Sequence, residues 1–377
     1  MKVKTIHGYS IAEITNGLEK LLQSEFQPTL AFVFTSVAYN IEELSNVFTQ
    51  KEIDIVGSTT SGEFIDDEVF EKSIVVMLMD INRDYYRIYF GEVGEYTKTY
   101  EVGNALANYS KEHFSNPAYI SVFSTAINGE LLVSGIDDVL QNDFRIFGGM
   151  AGDDAAMVAT YAFTNHKSSD NALVALILDA DKIAVNGLAL SGWEPLGATN
   201  VITKSTGNII YTINNKPALD IFKAFFGEYH SVNEEDGTVA IATAQYPIQV
   251  ERNGGYALRA PLNANEEDGS LMMAGPVREG EKFRFSIAPG FEIIENTVDG
   301  FKDFRDEHQD ADALILFSCL ARHMSLGPLV EQEIEGISEL WDAPLVGFFT
   351  YGEIGRNSNG ASNFYNETCS LVTLKEI

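Results

Sequence analysis

The chain has 377 residues with ordinary globular usage, 45% hydrophobic and 21% charged, which excludes a disordered chain and leaves apolar side chains for sizeable cores. Its formal net charge of −30 argues against DNA, RNA or anionic lipid as partner, because those are held by Lys and Arg on phosphates. We read the acidity as solubility or a saline habitat rather than as the mark of a basic partner. Cys319 and Cys369 are the only cysteines, so no disulfide framework is expected and a reducing compartment fits. The first residues lack the apolar core of a signal peptide, and no apolar run reaches the roughly 18–20 residues that span a bilayer. A cytoplasmic protein is the expectation.

In chain order, Ile11–Gln23 carries a helical stripe, Thr29–Thr35 reads as a buried strand, Ile41–Gln50 returns to helical spacing and Ile53–Val56 is a second buried strand. Ser73–Met79 and Tyr85–Phe90 read as a hairpin through residues 80–84. Ala172–Leu178 and Ile183–Leu190 read as another through residues 179–182. Asn215–Phe225 is a helix with Pro217 in its first turn. The fold class is α/β with mixed sheets and hairpins. Two domains are expected, 1–226 and 227–377, with the boundary at Phe225-Phe226-Gly227-Glu228. Two acidic stretches, Asn233–Gly237 and Asn265–Gly269, are read as turns and not as calcium loops.

Three segments share one outline: strand, helix, strand, then a glycine-bearing turn ending in an acid. Leu30–Ser36 leads to Val56-Gly57-Ser58-Thr59-Thr60-Ser61-Gly62-Glu63. Tyr119–Ser124 leads to Phe147-Gly148-Gly149-Met150-Ala151-Gly152-Asp153, and Ala313–Cys319 to Val346-Gly347-Phe348-Phe349-Thr350-Tyr351-Gly352-Glu353. Phe34, Phe123 and Phe317 stand near the ends of the three opening strands. A single such turn only reverses the chain. Three of them point to a shared pocket, since glycine lets a ligand approach the backbone and ligands of open α/β sheets lie beyond the strand ends. The candidate ligand-binding residues are Gly57, Ser58, Thr59, Ser61, Gly62, Glu63, Gly149, Gly152, Asp153, Arg322, Tyr351, Gly352, Glu353 and Asn366.

Arg322 is either a clamp for a ligand carboxylate or phosphate or an ordinary surface residue. Cys319 beside it reads as an inert buried thiol sooner than as a nucleophile. No His or Cys pair has zinc spacing, no Walker loop follows the turns, and no Gly-x-Ser-x-Gly elbow exists, so no catalytic motif is found and no metal is expected. Haem needs only one axial His, and His323, next to Arg322 and Met324, is the candidate.

These residues resemble the FIST family. The turns at Gly57–Glu63 and Phe147–Asp154 are similar to its N-terminal domain. So are Gly192-Trp193-Glu194-Pro195-Leu196-Gly197, Val201-Ile202-Thr203-Lys204 and Asn215-Lys216-Pro217-Ala218-Leu219. Phe317–Arg322, Phe349–Gly355 and Asn366-Glu367-Thr368 resemble its C-terminal domain. The chain departs from the family's commoner double glycine at Gly57-Ser58. The resemblance implies a bacterial intracellular sensory module binding a small ligand, with an amino-acid-like zwitterion favoured. Its output would pass through a separate partner such as a histidine kinase, a cyclic-dinucleotide enzyme or a chemotaxis protein. A haem-bound nitric-oxide sensor is the alternative within the family.

Overall fold

The computed structural model describes residues 1–141, 144–227, 231–232, 238–240, 246–252, 255–288, 290 and 292–377. The Glu228 end of the expected boundary and the acidic stretch 233–237 lie outside them.

The chain repeats one unit three times, with eight elements in the first two copies and a second crossover helix in the third. Unit 1 is β1 (Lys2–Gly8), α1 (Ile11–Leu22), β2 (Leu30–Thr35), α2 (Ile41–Thr49), β3 (Asp54–Thr59), β4 (Glu63–Ile65), β5 (Glu68–Phe70) and β6 (Ile74–Asp80). In unit 2 the same order runs β7 (Tyr86–Glu92), α3 (Thr99–His113), β8 (Pro117–Phe123), α4 (Gly129–Leu140), β9 (Arg145–Met150), β10 (Ala162–Phe163), β11 (Ser168–Ser169) and β12 (Ala172–Asp179).

Unit 3 opens with β13 (Ile183–Leu190) and is then interrupted by an inserted sheet. Its elements are β14 (Glu194–Thr206), β15 (Ile209–Ile213), β16 (Lys216–Pro217), α5 (Ala218–Phe226), β17 (Ser231–Val232) and β18 (Thr238–Ala240). They continue with β19 (Ile248–Arg252), β20 (Gly255–Arg259), β21 (Pro261–Asn265), β22 (Ser270–Met273) and β23 (Lys282–Ile287). Unit 3 then resumes with α6 (Glu292–Glu307), β24 (Ala313–Cys319), α7 (Leu320–Leu326), α8 (Val330–Ser338) and β25 (Leu345–Thr350). It closes with β26 (Glu353–Arg356), β27 (Ser362–Tyr365) and β28 (Cys369–Glu376).

Local sequence accounts for these elements. Ser10 accepts the Glu13 backbone N–H at 3.2 Å while Glu13 accepts that of Tyr9 at 2.8 Å, a capping box that starts α1 and aims Ile14 and Leu18 inward. β2 is apolar and buried throughout because both its faces are covered. Phe32 and Phe34 enter one core while Ala31 and Val33 face the helices.

Each unit contributes a parallel pair with a helical crossover: β2 with β3, β8 with β9, and β24 with β25. An antiparallel strand (β6, β12, β28) and an edge strand (β1, β7, β13) flank each pair. The hairpin after each glycine turn then leaves its own unit. β4–β5 of unit 1 joins β25 of unit 3, β26–β27 of unit 3 joins β9 of unit 2, and β10–β11 of unit 2 joins β3 of unit 1. The exchange is cyclic. Side chains from all three sheets, among them Phe34, Val122 and Phe317, meet in one core, and the helices cover the outer faces. Two of the three sheets combine strands from both sides of residue 226.

Two expected hairpins are corrected. β6 pairs with β1 and β2, whereas β7 pairs with β12 in another sheet. Likewise β12 pairs with β7 and β8, whereas β13 pairs with β28. The short polar segments between them are joints from one unit to the next. Phe123 is also one residue out of register with Phe34 and Phe317. The strand pairings make Val122 their equivalent, and Phe123 points to the helix side.

Candidate functional site

The three glycine turns meet. Gly152 N–H donates to Thr59 O at 3.0 Å and Asp154 N–H to Thr60 O at 2.9 Å. Ser61 N–H donates to Phe349 O at 3.2 Å, and Phe349 N–H to Gly62 O at 2.9 Å. Met150 N–H reaches Gly352 O at 2.8 Å, and Tyr351 N–H reaches Met150 O at 3.1 Å. The structure therefore brings Thr59, Ser61, Gly62, Gly152, Tyr351 and Gly352 together, but as a packed junction.

Glycine is needed there for close approach. A Cβ on Gly152 would strike Ser61, and one on Gly57 would enter the ring of Phe163, the residue opposite it on the exchanged strand. Gly347 stands under Phe64 in the equivalent way, and Gly149 is packed under Thr350 and Phe317. Ser58 is buried and donates to Thr59 O at 2.9 Å.

Two of the turns hold a buried acid in the same setting. Glu63 accepts hydrogen bonds from the Thr60 hydroxyl, and from Ser73 through both N–H (3.0 Å) and hydroxyl (2.8 Å). Glu353 accepts from the Thr350 hydroxyl and from Thr368 at 2.7 Å. Burial raises Glu63 to about 7 and Glu353 to about 8, against the partial relief of those donors. In unit 2 the matching position, opposite Ser58, is Ala162. The acid of that turn, Asp153, belongs to the loop before β10.

Asp153 organises that loop. Its carboxylate accepts the backbone N–H groups of Met157 (2.9 Å), Val158 (2.6 Å) and Ala159 (2.9 Å), together with the Tyr351 hydroxyl. Burial works to raise its pKa, but these four donors outweigh it and hold the carboxyl below its ordinary value. Asp154, Ala155 and Met157 adopt left-handed backbone at φ +54°, +63° and +56°. Ser36 donates to Asp154 at 2.6 Å, and Val158 is 86% exposed at the tip.

Arg322 does not stand free to clamp a ligand. It is fully buried, its Nε donates to Glu333 at 2.8 Å and its Nη2 to the other Glu333 oxygen, with Thr297 at 2.9 Å and the carbonyls of Ser191 and Glu367 taking the rest. Behind it lie buried acceptors with no partner among the described residues: both carboxylate oxygens of Glu367 and Oδ1 of Asn366. Burial, with Glu353 adding to it and Arg322 opposing it, pushes the Glu367 carboxyl well up. Burial together with Glu353 and Glu367 likewise raises the Cys319 thiol, which keeps it protonated.

His323 stacks on Phe349 at 4.2 Å between ring centres, and burial lowers its pKa. A haem on His323 with a propionate on Arg322 does not fit, because Glu333 already occupies that guanidinium.

Open space lies elsewhere. A cavity of about 840 Å³ separates α4 of unit 2 from the inserted sheet and the β26–β27 hairpin. Glu130, in the first turn of α4, pairs there with Arg252, with Arg259 at 3.3 Å and with Arg278 at 3.6 Å. Glu281 takes Arg252 at 2.8 Å. Burial, and Arg259 beside it, push Arg252 down to about 10. Arg356, Asp137, Asp138 and Glu251 complete the charged lining. None of these residues stood out in the sequence, because they come from distant segments and share no motif. The only available signal was the presence of arginines near the ends of strands in so acidic a chain.

Among the described residues, no helix is long and apolar enough to cross a membrane. Comparison with curated proteins finds no match. The FIST N domain matches residues 29–216, and the FIST C domain matches residues 218–356. Covered in order by both halves, the chain belongs to the FIST family of signal-transduction sensor domains.

Proposed function

We propose that the protein is an intracellular sensor that binds a small, amino-acid-like zwitterion in the cavity beside α4 and passes the signal to a separate partner protein. A histidine kinase, a cyclic-dinucleotide enzyme or a chemotaxis protein is the class of partner that suits this role. The observation that carries the reading is the lining of that cavity, about 840 Å³ with arginines and carboxylates from unit 2, unit 3 and the inserted sheet. Its volume falls in the range of small-molecule sites. Mixed charge suits a molecule with an anionic and a cationic end, and a ligand seated there touches three parts of the chain at once. The role is binding and not turnover, as the raised thiol of Cys319 and the paired guanidinium of Arg322 leave neither as an activated group.

A thermal-shift screen of the full chain against the amino acids tests this, since a ligand of the folded state stabilises it by RT ln(1 + [L]/Kd). A saturable shift, lost in Arg278→Ala, is expected. If no amino acid shifts the transition at any concentration up to tens of millimolar, the reading fails.

A further inference from the structure

One face of α4 forms a wall of the cavity. Glu130, Val133, Ser134, Asp137 and Asp138 all line it, at the i, i+3, i+4, i+7, i+8 spacing of a single helical stripe. The two ends of that stripe differ in charge. Glu130, at the start, holds Arg252 and Arg278, with Arg259 behind them, and Glu281 is the other carboxylate of the group. Three guanidiniums to two carboxylates leave this end with a surplus of positive charge.

Asp137 and Asp138 stand in the last turn of α4, which contains no basic residue. The carbonyl end of a helix is its negative end, where a cation is stabilising and a carboxylate is not. The hydrogen bond to Asp138 comes from an uncharged group, the Tyr100 hydroxyl. Two acids set against the helix dipole on a cavity wall call for a cation from the cavity. Val133, between the two ends, and Phe144 give the lining apolar surface on which a methylene stem can pack. Over the described lining as a whole, five carboxylates (Glu130, Asp137, Asp138, Glu251 and Glu281) face the three guanidiniums of Arg252, Arg278 and Arg356. A ligand of net positive charge matches that balance better than a neutral one.

We propose that the ligand is a basic amino acid of the lysine or arginine kind. Its α-carboxylate lies on Arg278 and its neighbour Arg252, its α-ammonium on Glu130 and Glu281, and its side-chain cation on Asp137 and Asp138. The inference rests on reading the cavity as the site of an amino-acid-like ligand, and it goes further by fixing the class of side chain. Glu130 and Asp138 stand about 12 Å apart along the helix axis at its usual rise. The α-carboxylate and α-ammonium of any amino acid share one carbon, so they serve one end of the stripe only. A long side chain ending in a cation serves both.

Thermal shift and isothermal titration of the full chain compare L-lysine and L-arginine with L-norleucine, which has the stem of lysine without its cation, and with L-alanine. Saturable binding of lysine or arginine is expected, tighter than that of norleucine or alanine by about tenfold or more, the worth of a charge-assisted contact. Asp137→Asn and Asp138→Asn, singly and together, reduce that preference and leave norleucine and alanine as in wild type. Circular dichroism checks that each variant is folded, and the single variants serve if the double one is not. Norleucine or alanine bound as tightly as the basic amino acids overturns the inference while the sensor reading stands. Lysine and arginine bound by the folded aspartate variants as tightly as by wild type does the same. If none of the four binds at concentrations up to tens of millimolar, the sensor reading fails as well.

Discussion

Glu353 is the structural equivalent of Glu63. Each is the first residue of a strand that crosses into another unit's sheet, Glu63 opposite Phe348 and Glu353 opposite Gly149, and each is bonded by a threonine hydroxyl three residues earlier. Ser73 on one side and Thr368 on the other complete the match, since Ser36 N–H bonds to Ser73 O as Cys319 N–H bonds to Thr368 O, both at 3.0 Å. Two joints of the three-unit ring thus contain an acid with no cationic partner among the described residues, and the third contains Ala162.

The buried acids make stability depend on pH. With folded values of about 8 for Glu353 and about 7 for Glu63 against an ordinary 4.5, the folded chain keeps protons that the unfolded chain releases. Their contribution is whole below the unfolded pKa and is lost as pH rises through the folded values. Denaturant titrations of wild type and Glu353→Gln between pH 5 and about 8.5 are expected to diverge, the wild type losing more stability. Each unit of pKa displacement is worth about 1.4 kcal/mol. Parallel curves would show that Glu353 is not protonated in the fold.

Arg322→Ala leaves the Glu333 carboxylate buried and unpaired, and is expected to cost about 3–5 kcal/mol in urea unfolding. Replacing both residues, Arg322→Met with Glu333→Leu, recovers much of that loss, because an apolar pair of similar volume has no desolvation penalty. Equal losses in the single and double variants would place the cost in packing instead.

Gly347→Ala drives a methyl into Leu316 O and the Phe64 ring and is expected to lower stability by about 1–3 kcal/mol, as overpacking does. Gly94→Ala, where nothing lies within 4 Å, is the control and should shift the thermal midpoint little. A similar shift in both variants would mean that the exchanged strand does not press on the glycine.

Asp153→Ala removes the acceptor of three backbone N–H groups and of Tyr351. Limited proteolysis is expected to cut between residues 154 and 159 in the variant several-fold faster than in wild type, since the left-handed backbone there persists only while its surroundings enforce it. Ala155→Gly at φ +63° should do the opposite and raise the midpoint slightly. Unchanged cleavage in Asp153→Ala would show that the loop holds its shape without that carboxylate.

The repeat was readable because short apolar runs, glycine spacing and the crossover length all report on local structure. The mixed α/β class followed from it. What joins one unit to another was not readable. Residues 80–84 and 179–182 look alike whether the flanking strands pair or part, so two joints passed for hairpins. Phe123 matched Phe34 and Phe317 by identity, but register placed Val122 in the shared core. Within the site, the turns were recognised and their acids located. Arg322 resembled a clamp because its partner Glu333 lies on the next helix and nothing in its own segment announces the pair. Glu130, Arg252 and Arg278 escaped notice since only the packing of α4 against the inserted sheet makes them neighbours.

The cyclic exchange of hairpins has a mechanical outcome. Each sheet is completed by a neighbour, so displacing one hairpin opens an edge on the sheet that receives it and pulls on the turn of the unit that lent it. That turn is bonded directly to the others, so strain introduced at one joint reaches the remaining two without passing through solvent. Such a ring behaves like a three-link clasp. It holds while every link is closed, and a push on any single link is felt around the whole circuit.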